Sequence, residues 1–122
     1  MDNISIQDKL RIVQELVPGK QITLMHIIAN PDDILYQKLG LDTSSEYSKG
    51  AIGVMTVSPS ETVIIAGDIA IKSSGAQIGF VDRFSGTLII TGTVSSVQAA
   101  FDAVSEYTQK TLGYEVCAIT KT

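Results

Sequence analysis

Ala51-Ile52-Gly53-Val54-Met55-Thr56-Val57-Ser58-Pro59-Ser60-Glu61-Thr62-Val63-Ile64-Ile65-Ala66-Gly67-Asp68-Ile69-Ala70-Ile71-Lys72 is the stretch on which the fold turns. Its first seven residues are mostly aliphatic and β-branched, the composition of a strand that packs on at least one face. Ser58-Pro59-Ser60-Glu61 then reads as a capping box, with the glutamate three residues past the cap. Val63, Ile64, Ile65, Ala66, Ile69 and Ala70 follow as the apolar side of a helix that ends before Gly75. A strand that runs straight into a helix opens an α/β unit.

Working outward, residues 77–82 and 87–93 carry two more strand signals. Arg83-Phe84-Ser85-Gly86 joins them as a tight hairpin connection in which Gly86 supplies a positive φ. A third helix is expected from Ser95, with Gln98 as its box partner. It carries Val97, Ala100, Phe101, Val104, Thr108 and Thr111 at helical spacing, and Gly113 closes it. Residues 115–120 form a last strand. From residue 51 the order is β-α-β-β-α-β, the split pattern of ferredoxin-like α+β domains. Upstream, residues 20–29 read as a strand. Asn30-Pro31-Asp32-Asp33 then provides an N-cap, a proline at the first helical position and acids in the first turn. The short helix that follows, through Ile34, Leu35, Lys38 and Leu39, stops at Gly40. Residues 42–49 make a polar loop. The first seventeen residues are ambiguous: Ile6, Leu10, Val13 and Val17 suit a helical stripe, whereas residues 11–17 suit an extended arm equally well.

Composition narrows the function. The 122 residues fit one domain, here taken as 1–122, with enough length for a real core. Net charge is −4 and the isoelectric point about 4.7, and the lysines and arginines are scattered, so no footprint for nucleic acid is present. A single cysteine excludes an internal disulfide framework. No apolar run approaches the roughly 20 residues that span a bilayer, and Asp2 precedes any positive charge, unlike a signal peptide. A cytoplasmic protein is expected. Charged residues are 18% of the chain, below the roughly 25% usual for soluble proteins, which points to surface hidden against neighbours.

No constellation for chemistry emerges. His26, the single histidine, lies mid-strand among apolar residues and has no second histidine to share a metal, so a hydrogen-bonded structural role is expected. Cys117 sits in Val116-Cys117-Ala118-Ile119, a pattern that predicts burial as a small hydrophobe. Asp82 and Arg83, with Ser85 close by, either pair locally in the turn or serve an interface. Gly50, Gly53 and Gly67 match no phosphate-loop spacing, and Gly67 is expected to let its helix approach the sheet. Glu61 and Asp68 stand seven residues apart, and no carboxylate pair is nominated for acid–base work. Catalytic residues, metal and cofactor are therefore all expected to be absent.

Four segments together carry a resemblance. They are residues 17–31 (Val-Pro-Gly-Lys-Gln-Ile-Thr-Leu-Met-His-Ile-Ile-Ala-Asn-Pro), residues 50–56 (Gly-Ala-Ile-Gly-Val-Met-Thr), residues 78–86 (Ile-Gly-Phe-Val-Asp-Arg-Phe-Ser-Gly) and residues 117–120 (Cys-Ala-Ile-Thr). In this order and spacing the chain resembles the bacterial microcompartment shell proteins, in particular the circularly permuted single-domain branch of ethanolamine- and propanediol-utilisation compartments. The resemblance implies a cyclic homohexamer that tiles with other shell proteins, and encapsulated enzymes as further partners. It implies that the leading strand and helix are those that ordinarily end the domain. It also implies an extended arm in which Ile12, Gln14 and Leu16 join five copies in a small β-barrel on the six-fold axis, closing any wide pore. Lys72 matches the lysine that similar proteins place at the edge between hexamers. Asn30 stands before Pro31 where non-permuted relatives carry an arginine, which implies a weaker basic contact at that edge. Asp82, Arg83 and Phe84 are the expected subunit-interface residues of the hairpin. The function implied is structural: a shell subunit that helps retain an aldehyde intermediate, with ethanolamine the favoured substrate of the compartment. A small-molecule-binding sensor domain of the same fold is the alternative, and a cofactor-free enzyme with its site between subunits a third.

Overall fold

The computed structural model describes residues 19–41 and 50–122. The elements along the chain are β1 (Gln21–Ile28), α1 (Asp33–Leu39), β2 (Ala51–Ser58), α2 (Thr62–Ser73), β3 (Gln77–Asp82), β4 (Thr87–Gly92), α3 (Val94–Lys110), β5 (Glu115–Val116) and β6 (Thr120–Lys121). The strands form one open sheet in the order β3-β4-β2-β1-β5, with β6 also paired to β1. The β-α-β-β-α-β succession from β2 to β5 is as expected, with β1 and α1 ahead of it in the permuted arrangement. The sheet does not close into a barrel. The barrel expected of the arm concerns Ile12, Gln14 and Leu16, which lie outside the described residues, as do the polar loop 42–49 and the ambiguous stretch 1–17.

β2 occupies the centre because it can be buried on both sides. Ala51, Gly53, Met55 and Val57 turn toward α2 and α3, while Ile52 turns the other way toward α1. The main core lies on the helical side, where Ile22, Met25, Ile27, Met55, Leu88 and Ile90 of the sheet meet Val63, Ala66, Val97, Phe101 and Val104. Burying a side chain of this size contributes roughly 1.5–3 kcal/mol, so this layer dominates stability. On the opposite face α1 seats Tyr36 against Ile52, and the Tyr36 hydroxyl donates to the Gly50 carbonyl at 2.9 Å. Two glycines admit close neighbours, and at Gly53 the fit leaves no room for a methyl. A methyl on Gly53 would stand 2.6 Å from Val97 Cγ1, and one on Gly67 would stand 3.3 Å from Ile78 Cδ1, so the close approach expected at Gly67 recurs more tightly at Gly53.

The helix starts depart from expectation. α1 is capped by Asp32, whose carboxylate accepts from the Ile34 N–H at 3.0 Å; Asn30 lies in the bend before it. The box at Ser58–Glu61 does not form. The N–H groups of Thr62, Val63 and Ile64 donate instead to the carbonyls of Pro59, Ser60 and Glu61, so the donors a side chain would satisfy are already used. α3 starts one residue earlier than Ser95, because Thr93 adopts the extended cap conformation and accepts from the Ser96 N–H at 3.0 Å. Gln98 bonds Asp102 rather than the cap. Gly40, as expected, ends α1 in the left-handed region at φ 70°. The last predicted strand is split, with residues 117–119 leaving the ladder between β5 and β6.

Candidate functional site

Among the described residues, no group of three or more His, Cys, Asp or Glu side chains is placed to hold a metal ion, and no helix is long and apolar enough to cross a membrane. His26 is half-buried, its Nδ1 and Nε2 hydrogen-bonded to the hydroxyls of Thr120 and Thr122, so both nitrogens serve to hold β6 against β1. Cys117 is half-buried rather than enclosed, and burial pushes its thiol above the usual value, away from a reactive thiolate. A groove of about 380 Å³ runs between α2 and α3, lined by Ile69, Ala103, Glu106, Tyr107, Lys110 and Thr111. Its one acid is tied to its one base, Lys110 Nζ to Glu106 Oε2 at 3.3 Å, so it offers no convergent reactive pair.

What the chain does present is surface built for contact. β3 is the outer strand of the sheet, exposed along almost its whole length, and it carries no charge before Asp82. A bulge at Gly79 reverses the alternation: Ile78 opposes Ile90 and Val81 opposes Leu88, while Phe80 opposes Ile89. Apolar side chains therefore project from both faces of an edge that has no further partner strand among the described residues. Edges of monomeric proteins are normally guarded by charge, proline or a covering loop. This one is not.

The β3–β4 hairpin extends that edge. Asp82 accepts from the Phe84 N–H at 3.0 Å and the Ser85 hydroxyl at 2.8 Å, which fixes the turn. These bonds, the Ser85 hydroxyl first, hold the Asp82 carboxyl below its usual value. The local Asp82–Arg83 pair considered from the sequence is replaced by a different contact: the Arg83 guanidinium lies over the Phe84 ring, 5.0 Å from its centroid. Phe84 is 81% exposed. Gly86 has φ 75°, as the turn requires, and a methyl there would fall 2.2 Å from the Val57 carbonyl oxygen.

α2 supplies a second surface. Lys72 lies in its last turn, as expected of a cation favoured by the helix dipole, and pairs with Asp68 at 3.0 Å. Ile64 and Ile71 flank that pair and stay half exposed. Sequence reasoning counted Ile64 among the buried stripe and missed Ile71. The available signal was that α2 carries more large aliphatic residues than one core-facing stripe requires. Asn30 is exposed at the far end of β1, and nothing in the fold brings it to Lys72 or to the hairpin.

An open sheet with an apolar outer strand and an exposed aromatic tip presents the kind of surface that subunits of larger assemblies bury. The comparisons give that class its family. The BMC domain model matches residues 51–120. The microcompartment shell protein EutS of Escherichia coli K12 is 47% identical over 114 residues, covering 93% of this chain and 98% of its own. The shell protein PduU of Salmonella typhimurium LT2 is also 47% identical, over 112 residues, 92% of this chain and 93% of its own. A solved CutR flat hexamer superimposes with a TM-score of 0.80 at 45% identity, covering 92% of this chain and 99% of that one. The chain belongs to the BMC-domain family of bacterial microcompartment shell proteins, and these relatives are structural proteins, not enzymes.

Proposed function

We propose that this chain is a single domain spanning residues 1–122 that closes into a homohexamer and tiles, with other shell proteins, into the wall of a microcompartment. The supporting observation is the apolar β3 edge and its exposed Phe84 tip, on a chain alignable over 92% of its length with a flat hexamer. A ring needs a heterologous contact, in which two different patches of each subunit meet around the axis. Asp82, Arg83 and Phe84 form part of one such patch. Lys72 and Asn30 lie on the perimeter between hexamers, and Ile12, Gln14 and Leu16 build the axial barrel. With the axis closed, the wall's task is to hold back a small aldehyde released by enclosed enzymes, which dock on its inner surface. We assign the compartment to ethanolamine breakdown; EutS and PduU are equally similar to this chain, so propanediol is the competing assignment.

Native mass spectrometry tests the ring: six times the 13.0 kDa protomer mass is expected, and a monomer or dimer at micromolar concentration refutes it. Deletion in the host tests the compartment. Aldehyde leakage during growth on ethanolamine but not on propanediol is expected, and the reverse pattern overturns the assignment.

A further inference from the structure

We propose that Tyr114 is a strut that sets the direction in which the chain ahead of β1 leaves the sheet, by joining Lys20 at the root of that segment to Thr62 at the start of α2. The three residues are far apart in sequence and meet in one line. Lys20 Nζ stands over the Tyr114 ring, 5.7 Å from its centroid. The Tyr114 hydroxyl shares a hydrogen bond of 2.6 Å with the Thr62 hydroxyl. Thr62 is buried in the first turn of α2, whereas Lys20 and Tyr114 are half-buried. The Tyr114 N–H donates to the Thr108 carbonyl at 2.9 Å, so α3 holds the base of the strut while α2 holds its tip.

Backbone pairing alone does not fix the root. The Lys20 carbonyl accepts from the Glu115 N–H at 3.1 Å, but β1 begins only at Gln21. One point of attachment leaves a residue free to swing about its own bonds, and the ammonium held on the ring supplies a second. Gly19 then turns the chain at φ 89°, a conformation that residues with a side chain rarely adopt. A turn taken from a residue held at two points has a defined direction. A cation over a partly exposed ring adds little to stability, so the value of this contact lies in orientation. The two links act in series, and breaking either one disconnects Lys20 from α2.

The strut is a property of one protomer and stands whether or not the ring of the preceding section forms. If that ring holds, the same direction decides where Ile12, Gln14 and Leu16 arrive relative to its axis. Spin labels on Asp8→Cys and Gln109→Cys, in a Cys117→Ala background of the full-length chain, report the direction as a distance distribution. Labelled chain is diluted in unlabelled chain so that each assembly carries one pair. The unaltered root is expected to give one narrow distribution. Lys20→Met and Tyr114→Phe should each widen it by about twofold or more, while Lys20→Arg, which also stacks on the ring, keeps it narrow. The double variant Lys20→Met with Tyr114→Phe should be no wider than either single one. Hydrogen exchange in the unlabelled chain gives a second measure: the Glu115 amide should exchange about threefold faster or more in Lys20→Met and Tyr114→Phe, and near the original rate in Lys20→Arg. A broad distribution in the unaltered root, unchanged widths in the single variants, or widening that adds in the double variant overturns the strut, and so does failure of arginine to substitute. Native mass on the same samples reports the ring, so a lost ring with a narrow distribution refutes the hexamer and leaves the strut standing.

Discussion

Replacing Gly53 by alanine adds one methyl group where β2 passes beneath α3. That carbon would lie 2.6 Å from Val97 Cγ1 and 2.8 and 2.9 Å from Cζ and Cε2 of Phe101. Carbon atoms in contact prefer about 3.5–4.0 Å, so each neighbour must retreat by more than half an ångström. Neither can do so freely, since Val97 and Phe101 are fully buried and packed from every side. α3 must lift or its side chains must leave their rotamers, a form of overpacking that costs about 1–3 kcal/mol. Against this, alanine restricts the unfolded chain and recovers about 0.5–1 kcal/mol relative to glycine in a strand. The expected balance is a loss of about 1–2 kcal/mol. Urea unfolding followed by circular dichroism measures it, at one fixed protomer concentration because assembly shifts apparent stability. With a slope of about 2 kcal/mol per molar urea, the midpoint falls by about 0.5–1 M. Gly75→Ala is the control: its nearest neighbour would be Ser96 Oγ at 3.5 Å, an ordinary contact, and its midpoint should hold or rise slightly. A Gly53→Ala midpoint equal to that of the unaltered chain would refute the argument that glycine sets the β2–α3 distance.

Gly67→Ala should move the other way. Its methyl would meet Ile78 Cδ1 at 3.3 Å, the free end of a side chain on the exposed edge strand, while the helix gains about 0.5–1 kcal/mol; the melting temperature should rise by about 2–4 °C in calorimetry, and a fall shows that Ile78 cannot yield. Thr93→Ala removes the cap bond to the Ser96 N–H and should cost about 1 kcal/mol in urea unfolding, whereas Thr93→Ser should retain most of it; equal losses would locate the effect in the methyl group instead. Asp82 titrates below its usual value of 3.8 in the fold, so its ionised form is the one the hairpin favours. Its contribution is complete above the unfolded value and disappears as pH falls through the lower folded value. The Phe84 and Ser85 amide resonances should therefore shift below pH 3.8, and an inflection above that value contradicts the assignment.

The elements were legible where one periodicity was enforced by burial. β3 was placed at its observed limits, and the apolar spacing of Val97, Ala100, Phe101 and Val104 found the core face of α3. Helix starts were less legible because several residues near each start can cap, and backbone geometry chooses among them. Thr93 wins over Ser95 because it alone adopts the extended conformation with its hydroxyl aimed at the right N–H. At Ser58–Glu61 the correct residues were present, but carbonyls of the preceding turn had already taken the donors. The role of His26 was legible only in outline. Its partners Thr120 and Thr122 lie 94 and 96 residues away, and no local pattern connects them. The contact surfaces were hardest to read, since an isoleucine on α2 looks the same in the sequence whether it faces Leu88 or a neighbouring subunit. Low charge and the resemblance to shell proteins pointed to assembly. The exposure of Ile64, Ile71 and Phe84 shows where that assembly has surface to use.

The split C-terminal strand fixes an order of events in biosynthesis. Among the described strands β1 is made first, and its second edge is paired by β5 and β6, which begin at Glu115 and Thr120. Until residues 115–122 leave the ribosomal exit tunnel, β1 can pair with β2 along one side and lacks the β5 and β6 pairing along the other. Thr122 adds to that second flank: its N–H donates to the Ile27 carbonyl, and its carbonyl accepts from the Ala29 N–H. The sheet is therefore completed only after residues 115–122 have emerged, and a shorter nascent chain cannot join a partner through a completed sheet. A chain cut before Thr120 would lose the hydroxyls that grip His26 and the β6 pairing of β1, in a protein that already presents an apolar edge at β3.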